Sequence, residues 1–193
     1  MSSLGLRDTV ARAERGREFW RRTLLAGPFT VLPRWTREPA AGVGEHEARV
    51  PDDLVAALRR LADELAVSFH SVLLTAHAKV LAALSGEREV STGYLAPQGR
   101  SPLLCRITTA PRTWRAMLME AHRAVVELLS HADFPVEDLG RELSLTQPLF
   151  ETVFDPAAAA RGELAEDTVL RVGVVERDGI VLRLRHRTDV LDT

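Results

Sequence analysis

The chain has 193 residues, of which 46% are hydrophobic and 27% charged, with a net charge of −2. That length fits one domain with a packed core, and the interspersed, near-neutral charge excludes the basic footprint of a nucleic-acid binder. No apolar run approaches the roughly 18 residues of a membrane helix, and Arg7, Asp8, Arg12, Glu14 and Arg15 interrupt any signal-peptide core, so a cytoplasmic protein is expected.

Thr9 to Leu25 reads as a charged helix ending in Phe19-Trp20 and Leu24-Leu25, and Gly27-Pro28 stops it. From Phe29 to Gly44 prolines recur without a period, which predicts a linker or an extended arm. Its Phe29, Val31, Leu32 and Trp35 should lie against a surface. A short strand follows around His46 to Val50. Pro51 suits the first turn of a helix, where its missing N–H does no harm. Leu54, Leu58, Leu61 and Leu65 then recur at helical spacing. Ser68 is placed to cap the next helix. That helix runs to about Leu84 and is apolar nearly all round, the mark of a helix buried between layers.

Glu89 to Tyr94 and Leu103 to Ile107 read as strands around a turn-rich loop from Pro97 to Pro102. The only cysteine, Cys105, lies in the second of these. It excludes an internal disulfide and reads as a buried packing residue. Trp114, Leu118, Ala121, Val125 and Leu128 share one face of a long helix, and Pro135 opens a short one through about Leu143. Phe150 to Phe154 is strand-like and Asp155-Pro156 breaks it, with a loop from Ala157 to Asp167. Val169 to Val175 and Ile180 to Arg185 flank Arg177-Asp178-Gly179, a hairpin signal. Helices and strands alternate before this hairpin, so the fold class expected is α/β, a mixed β-sheet flanked by helices. The division expected is an N-terminal helix at 1–28, the linker or arm at 29–46, and the main subdomain at 47–193.

The six histidines form no HExxH or Cys-His cluster. His70 and His77 are seven apart, whereas metal ligands on one helix sit three or four apart, so no metal site is expected. His131 and Asp133 are the residue types of a general base and its orienting carboxylate, and they are the candidate catalytic pair. A structural role in the turn before Pro135 is the competing reading and the expected one. Ser71, Ser101 and Ser130 lack a nucleophile elbow, and Gly93 and Gly99 form no phosphate loop. Trp20 and Trp35 read as interface anchors, whereas Trp114 fits the core stripe of its helix. Arg183, Arg185 and Arg187 alternate on the last strand and share a face. They read either as a solvated or salt-bridged face or as a docking surface for an acidic protein.

Two segments carry a family resemblance: HADFPVEDL (His131 to Leu139) and PLFETVF (Pro148 to Phe154). They resemble the late motifs of condensation domains of nonribosomal peptide synthetases, usually near HQDLPFE and SPLFQVMF. FWRRTLLAGP (Phe19 to Pro28) is similar to the helix that opens the second half of such domains. The paired helices from Arg49 to Glu87, STGYLAPQGR (Ser91 to Arg100) and GIVLRLRHRTDVLD (Gly179 to Asp192) follow in the family's order. The resemblance implies one chloramphenicol acetyltransferase-like half, the condensation-domain C-terminal subdomain. Such domains join a carrier-bound acyl group to a carrier-bound amine across a tunnel between two related halves. The histidine of HHxxxDG lies in the first half; the second supplies the opposite wall and part of the carrier-docking surface.

The chain departs from that pattern. HHxxxDG occurs nowhere, the segment that crosses between halves is shortened to SPLLCRI, and no helix follows the last hairpin before Thr193. Ala132 and Val136 replace the usual Gln and Phe, and His70 and His77 stand where large apolar residues are usual. The resemblance therefore implies a truncated, non-catalytic condensation-like domain acting through protein contacts. Its implied partners are an adenylation domain, a carrier protein or another condensation-type protein, with neither nucleic acid nor membrane. No bound cofactor is implied beyond contact with a carrier's phosphopantetheine arm. Two other readings stand: an obligate half of a split acyltransferase with HHxxxDG on another polypeptide, and a small acyltransferase using His131 with Asp133.

Overall fold

The computed structural model describes residues 3–37, 39–97, 99, 101–110, 113–158 and 164–191. Its elements are α1 (Ser3–Leu25), β1 (Val43–Arg49), α2 (Asp52–Leu65), α3 (Phe69–Ser85), β2 (Glu89–Tyr94), β3 (Leu103–Thr108), α4 (Trp114–Ser130), α5 (Val136–Glu142), β4 (Thr152–Asp155), β5 (Leu170–Glu176) and β6 (Ile180–Arg187). The six strands form one sheet in the order β1-β6-β5-β4-β2-β3. β2, β4 and β5 run parallel at its centre, and the outer pairings are antiparallel. This is the mixed sheet with flanking helices that the alternating pattern predicts.

Register explains why helices settle on one face. Residues directly opposite each other share a face, and neighbours along a strand alternate. One row across the sheet reads Tyr94, Phe154, Val172, Leu184 and His46, with Leu103 opposite Tyr94 at the other end. The adjacent row, on the other face, reads Gly93, Val153, Arg171, Arg185 and Glu45. One face is therefore apolar and the other largely charged. α3 lies on the apolar face, where His77 Nε2 is 3.3 Å from Thr92 Oγ1 and the His77 ring is 5.5 Å from that of Phe154. α4 packs beside it against α3 and β3.

Local signals set the element ends. The Ser68 hydroxyl accepts a hydrogen bond from the Ser71 N–H, and Thr113 does the same for Ala116, so α3 and α4 each begin on a capped N–H. Gly86, at φ 76°, ends α3. Asp178 and Gly179 both take positive φ in the tight turn joining β5 to β6.

Four details differ from the sequence reading. β1 starts at Val43, ahead of His46, because it pairs with β6 residue for residue from Val43–Arg187 to Arg49–Val181. α1 starts at Ser3, ahead of Thr9. Trp114 is 54% exposed and is not part of the core, because it is the first residue of α4 and overhangs the packed stripe. α3 is not enclosed all round, since Val80 on its outer side is also exposed. No single helix among the described residues is long and apolar enough to cross a membrane.

His77 makes the core sensitive to acid. It is buried beside Thr92, whose hydroxyl also accepts from Thr152 Oγ1 at 2.9 Å. Burial pushes its pKa down from 6.5 to about 4. Below pH 6.5 the unfolded chain takes up a proton that the folded imidazole refuses, so stability falls as pH drops toward 4. The loss from this group is about 2 kcal/mol between pH 7 and pH 5. Denaturant titrations at those two pH values should show a smaller loss for His77→Gln than for the parent; equal losses would contradict the assignment.

Candidate interaction groove

The charged face holds the last-strand arginines, and they are engaged within the chain. Arg183 Nε lies 2.6 Å from Glu47 Oε1, and Arg185 Nε 3.3 Å from Glu45 Oε2, both across the β1–β6 pairing. Arg171 Nη2 reaches Asp155 Oδ2 at 2.6 Å, and Arg187 Nη2 reaches Asp189 Oδ2 at 2.6 Å. The hydrogen bonds from Arg187 hold the Asp189 carboxyl below its ordinary range. The strand thus carries the salt-bridged face expected from its alternating arginines.

Two hollows open beside this face, of about 720 and about 660 Å³. Gln147, Pro148, Phe150 and Asp167 line both, so they adjoin as one groove. α5 and the segment before it wall the larger hollow through Phe134, Val136 and Gly140. The arm walls the smaller one through Phe29, Val31 and Arg34. Two glycines let the aromatic walls settle. A Cβ on Gly93 would lie 2.6 Å from Phe150 Cε2, and one on Gly16 would lie 2.9 Å from Phe134 Cδ2.

The arm is tied down across the sheet. The Thr30 N–H donates to Ser91 Oγ at 2.8 Å, the Ser91 N–H donates back to Thr30 Oγ1 at 2.9 Å, and Thr30 Oγ1 donates to Glu87. Arg34 grips Glu151 through both terminal nitrogens, and the Leu32 N–H donates to the same carboxylate. The Trp35 N–H donates to the Val190 carbonyl at 2.9 Å.

The structure does not assemble the candidate catalytic pair. The His131 ring stacks on Phe19 with centroids 4.6 Å apart, and its carbonyl accepts from Trp20 Nε1 at 2.9 Å. The Asp133 side chain is 95% exposed and faces Arg12 at 3.8 Å. Among the described residues no hydrogen bond joins His131 to Asp133; the turn is held by the ring stack and by backbone bonds, among them the Phe134 N–H to the His131 carbonyl at 3.2 Å. Trp20 is fully buried and braces α1 against the end of α4; it is a core residue and not a surface anchor. Trp35 remains 57% exposed. Cys105 is buried and its thiol is pushed up to about 12, which keeps it protonated.

Sequence reasoning missed a contact between His122 Nδ1 and Ser71 Oγ, at 3.1 Å. Ser71 is 1% exposed, so the contact ties α4 to the start of α3 and offers no nucleophile to solvent. It missed the groove residues Gln147 and Asp167 too. Among the described residues no group of three or more His, Cys, Asp or Glu stands close enough to hold a metal ion.

The Gly93–Phe150 contact has a measurable consequence. Gly93→Ala should destabilise the protein by about 1–3 kcal/mol by displacing the ring. In a Phe150→Ala background the same change should cost much less, as read by a double-mutant cycle in urea. Additive costs would contradict the contact.

No family model matches the chain. Over an alignment of 187 residues it is 28% identical to tyrocidine synthase 3 of Brevibacillus parabrevis, covering 80% of this chain and 3% of that protein. It superposes on a chain of the complex of the X-domain and OxyB from teicoplanin biosynthesis with a TM-score of 0.79, at 20% identity, covering 97% of this chain and 50% of that one. It superposes on the first condensation domain of the calcium-dependent antibiotic synthetase, solved with substrate analogue 3a, with a TM-score of 0.71, at 18% identity, covering 94% of this chain and 47% of that one. The chain thus spans about half the length of these solved chains and a small fraction of the curated relative. The motif order read from the sequence and the backbone agree: this chain has the fold of one half of a nonribosomal peptide synthetase condensation domain.

Proposed function

We propose that this chain serves nonribosomal peptide biosynthesis as a non-catalytic condensation-like half that acts by binding other proteins of the assembly line. The observation that carries this reading is the chemistry of the groove. Acyl transfer to an amine calls for a general base within reach of the nucleophile. Among the described residues the titratable side chains on the groove are Glu137, Asp138, Arg141, Asp167, Arg34, Glu151 and Arg187, and none that lines either hollow is a histidine or a cysteine. An open, largely apolar groove whose proton acceptors among the described residues are carboxylates, with no imidazole beside them, suits contact better than turnover. A domain of similar fold, the teicoplanin X-domain, has been solved in complex with a separate protein, OxyB.

The partners that fit are an adenylation domain, a carrier protein or another condensation-type protein. The larger hollow is where a carrier's phosphopantetheine arm would rest. The test combines binding and turnover with purified adenylation and carrier proteins, the carriers loaded with acyl and aminoacyl thioesters. Calorimetry should show binding to at least one of them, and mass spectrometry should show no amide product. His131→Ala should bind like the parent. Amide formation by the chain alone, lost in His131→Ala, would overturn the reading. Amide formation only after a second polypeptide bearing HHxxxDG is added would replace it with a split enzyme.

A further inference from the structure

We infer that the outer part of the arm, from Arg34 to Arg37, is a strap that opens on its own, latched to the sheet by the Glu151 carboxylate, while the inner part stays pinned. The arm is held in two different ways. Before Pro33 it is anchored in the core: Thr30 and Leu32 are 2% and 1% exposed, and the exchange of bonds between Thr30 and Ser91 is buried. After Pro33, Arg34, Trp35 and Arg37 are exposed and Thr36 is half-buried. A stretch with little buried surface and solvent-facing hydrogen bonds opens at low free energy, independently of the core. Buried Leu32 and Pro33, whose ring fixes its φ, mark the pivot.

One carboxylate gathers the side-chain bonds that hold this stretch. Glu151 accepts from Arg34 Nη1 at 3.0 Å and from Arg34 Nη2 at 2.9 Å, and it also accepts from the Leu32 N–H at the pivot. Two parallel N–H bonds from a guanidinium to a carboxylate are stronger than neutral bonds and fix its plane. Glu151 itself belongs to the sheet side of the latch. Its carbonyl accepts from the Val169 N–H at 2.7 Å and the Leu170 N–H at 3.2 Å, at the head of β5. The Glu151 side chain is 13% exposed and that of Arg34 is 51% exposed, so the guanidinium is the half free to leave. Beyond this grip the strap keeps the Trp35 N–H on the Val190 carbonyl and the isolated bridge from Trp35 to Leu191. Arg34 lines the smaller hollow with Arg187 and Val190, so opening removes part of that wall and widens the groove. That widening bears on binding only under the assembly-line reading; the latch itself does not depend on it.

Amide hydrogen exchange followed by NMR tests this without any partner. In the parent the Trp35 N–H should exchange at least about tenfold faster than those of Thr30 and Ser91. Glu151→Gln keeps an acceptor for the Leu32 N–H but cannot take the guanidinium fork. It should speed Trp35 by about a further tenfold and leave Thr30 and Ser91 unchanged. Arg34→Lys, which keeps the charge and loses the fork, should fall between the two. Raising the salt to about 1 M should speed Trp35 in the parent and not in Glu151→Gln. One common rate for Trp35, Thr30 and Ser91 would overturn the inference, as would a Trp35 rate indifferent to both substitutions. A strap that opens in this way in a chain that binds no carrier or adenylation protein would support the latch and remove only the reading of the groove as a working surface.

Discussion

Phe154 is the point on which the two-faced sheet turns. β4 is only four residues long, yet it joins β2 to β5 and so links the two antiparallel outer parts of the sheet. Phe154 is 1% exposed, stacks near Tyr94 and lies under His77 of α3. A single buried aromatic thus clamps the short central strand to its neighbour and to the covering helix. Because strand side chains alternate, placing Phe154 on the helix side forces Val153 and Asp155 to the other side. There Asp155 meets Arg171, and the row continues into the Arg–Glu pairs of β6 and β1. The apolar core and the charged face are two consequences of one register.

The groove follows from the same register. Gly93 stands on the charged side, directly opposite Val153. With no side chain there, Phe150 can lie flat against the sheet, and the turn from Gln147 to Phe150 becomes the ridge shared by both hollows. The arm completes the wall because Thr30 and Ser91 satisfy each other's backbone N–H groups, a reciprocal exchange that leaves no buried donor unpaired at that crossing. Among the described residues the titratable acceptors on the groove are carboxylates, with no histidine beside them. The histidines with resolved ring contacts near the core are occupied: His77 beneath the sheet, His122 against Ser71, and His131 on Phe19.

Much of the architecture was legible in the sequence because its signals are local. Ser68, Pro51 and Gly86 mark helix ends, the leucines from Leu54 to Leu65 mark a helical face, and Asp178-Gly179 marks a hairpin. Six segments in family order, read together, implied the half-domain. What was not legible depends on partners distant in the chain. Trp20 looks like an anchor until α4 ends 111 residues later and offers the His131 carbonyl. Trp114 has the spacing of a core residue but sits at the start of its helix, where it stays 54% exposed. Arg183 reads by default as a solvated or salt-bridged charge, but its partner Glu47 lies 136 residues away and is not legible in the sequence. The groove residues Gln147 and Asp167 carry no periodicity, and only the folded chain brings them side by side.

The central claim is that the groove between α5 and the Pro148–Phe150 ridge is the working surface of a half-domain that binds and does not catalyse. The most direct measurement is hydrogen exchange followed by mass spectrometry, with and without a purified carrier protein bearing its phosphopantetheine arm. The account predicts slowed exchange from Phe134 to Phe150 and from Ala165 to Thr168, with α4 unchanged. Slowed exchange on α4 with the groove unaffected, or no change anywhere at saturating carrier, would contradict it.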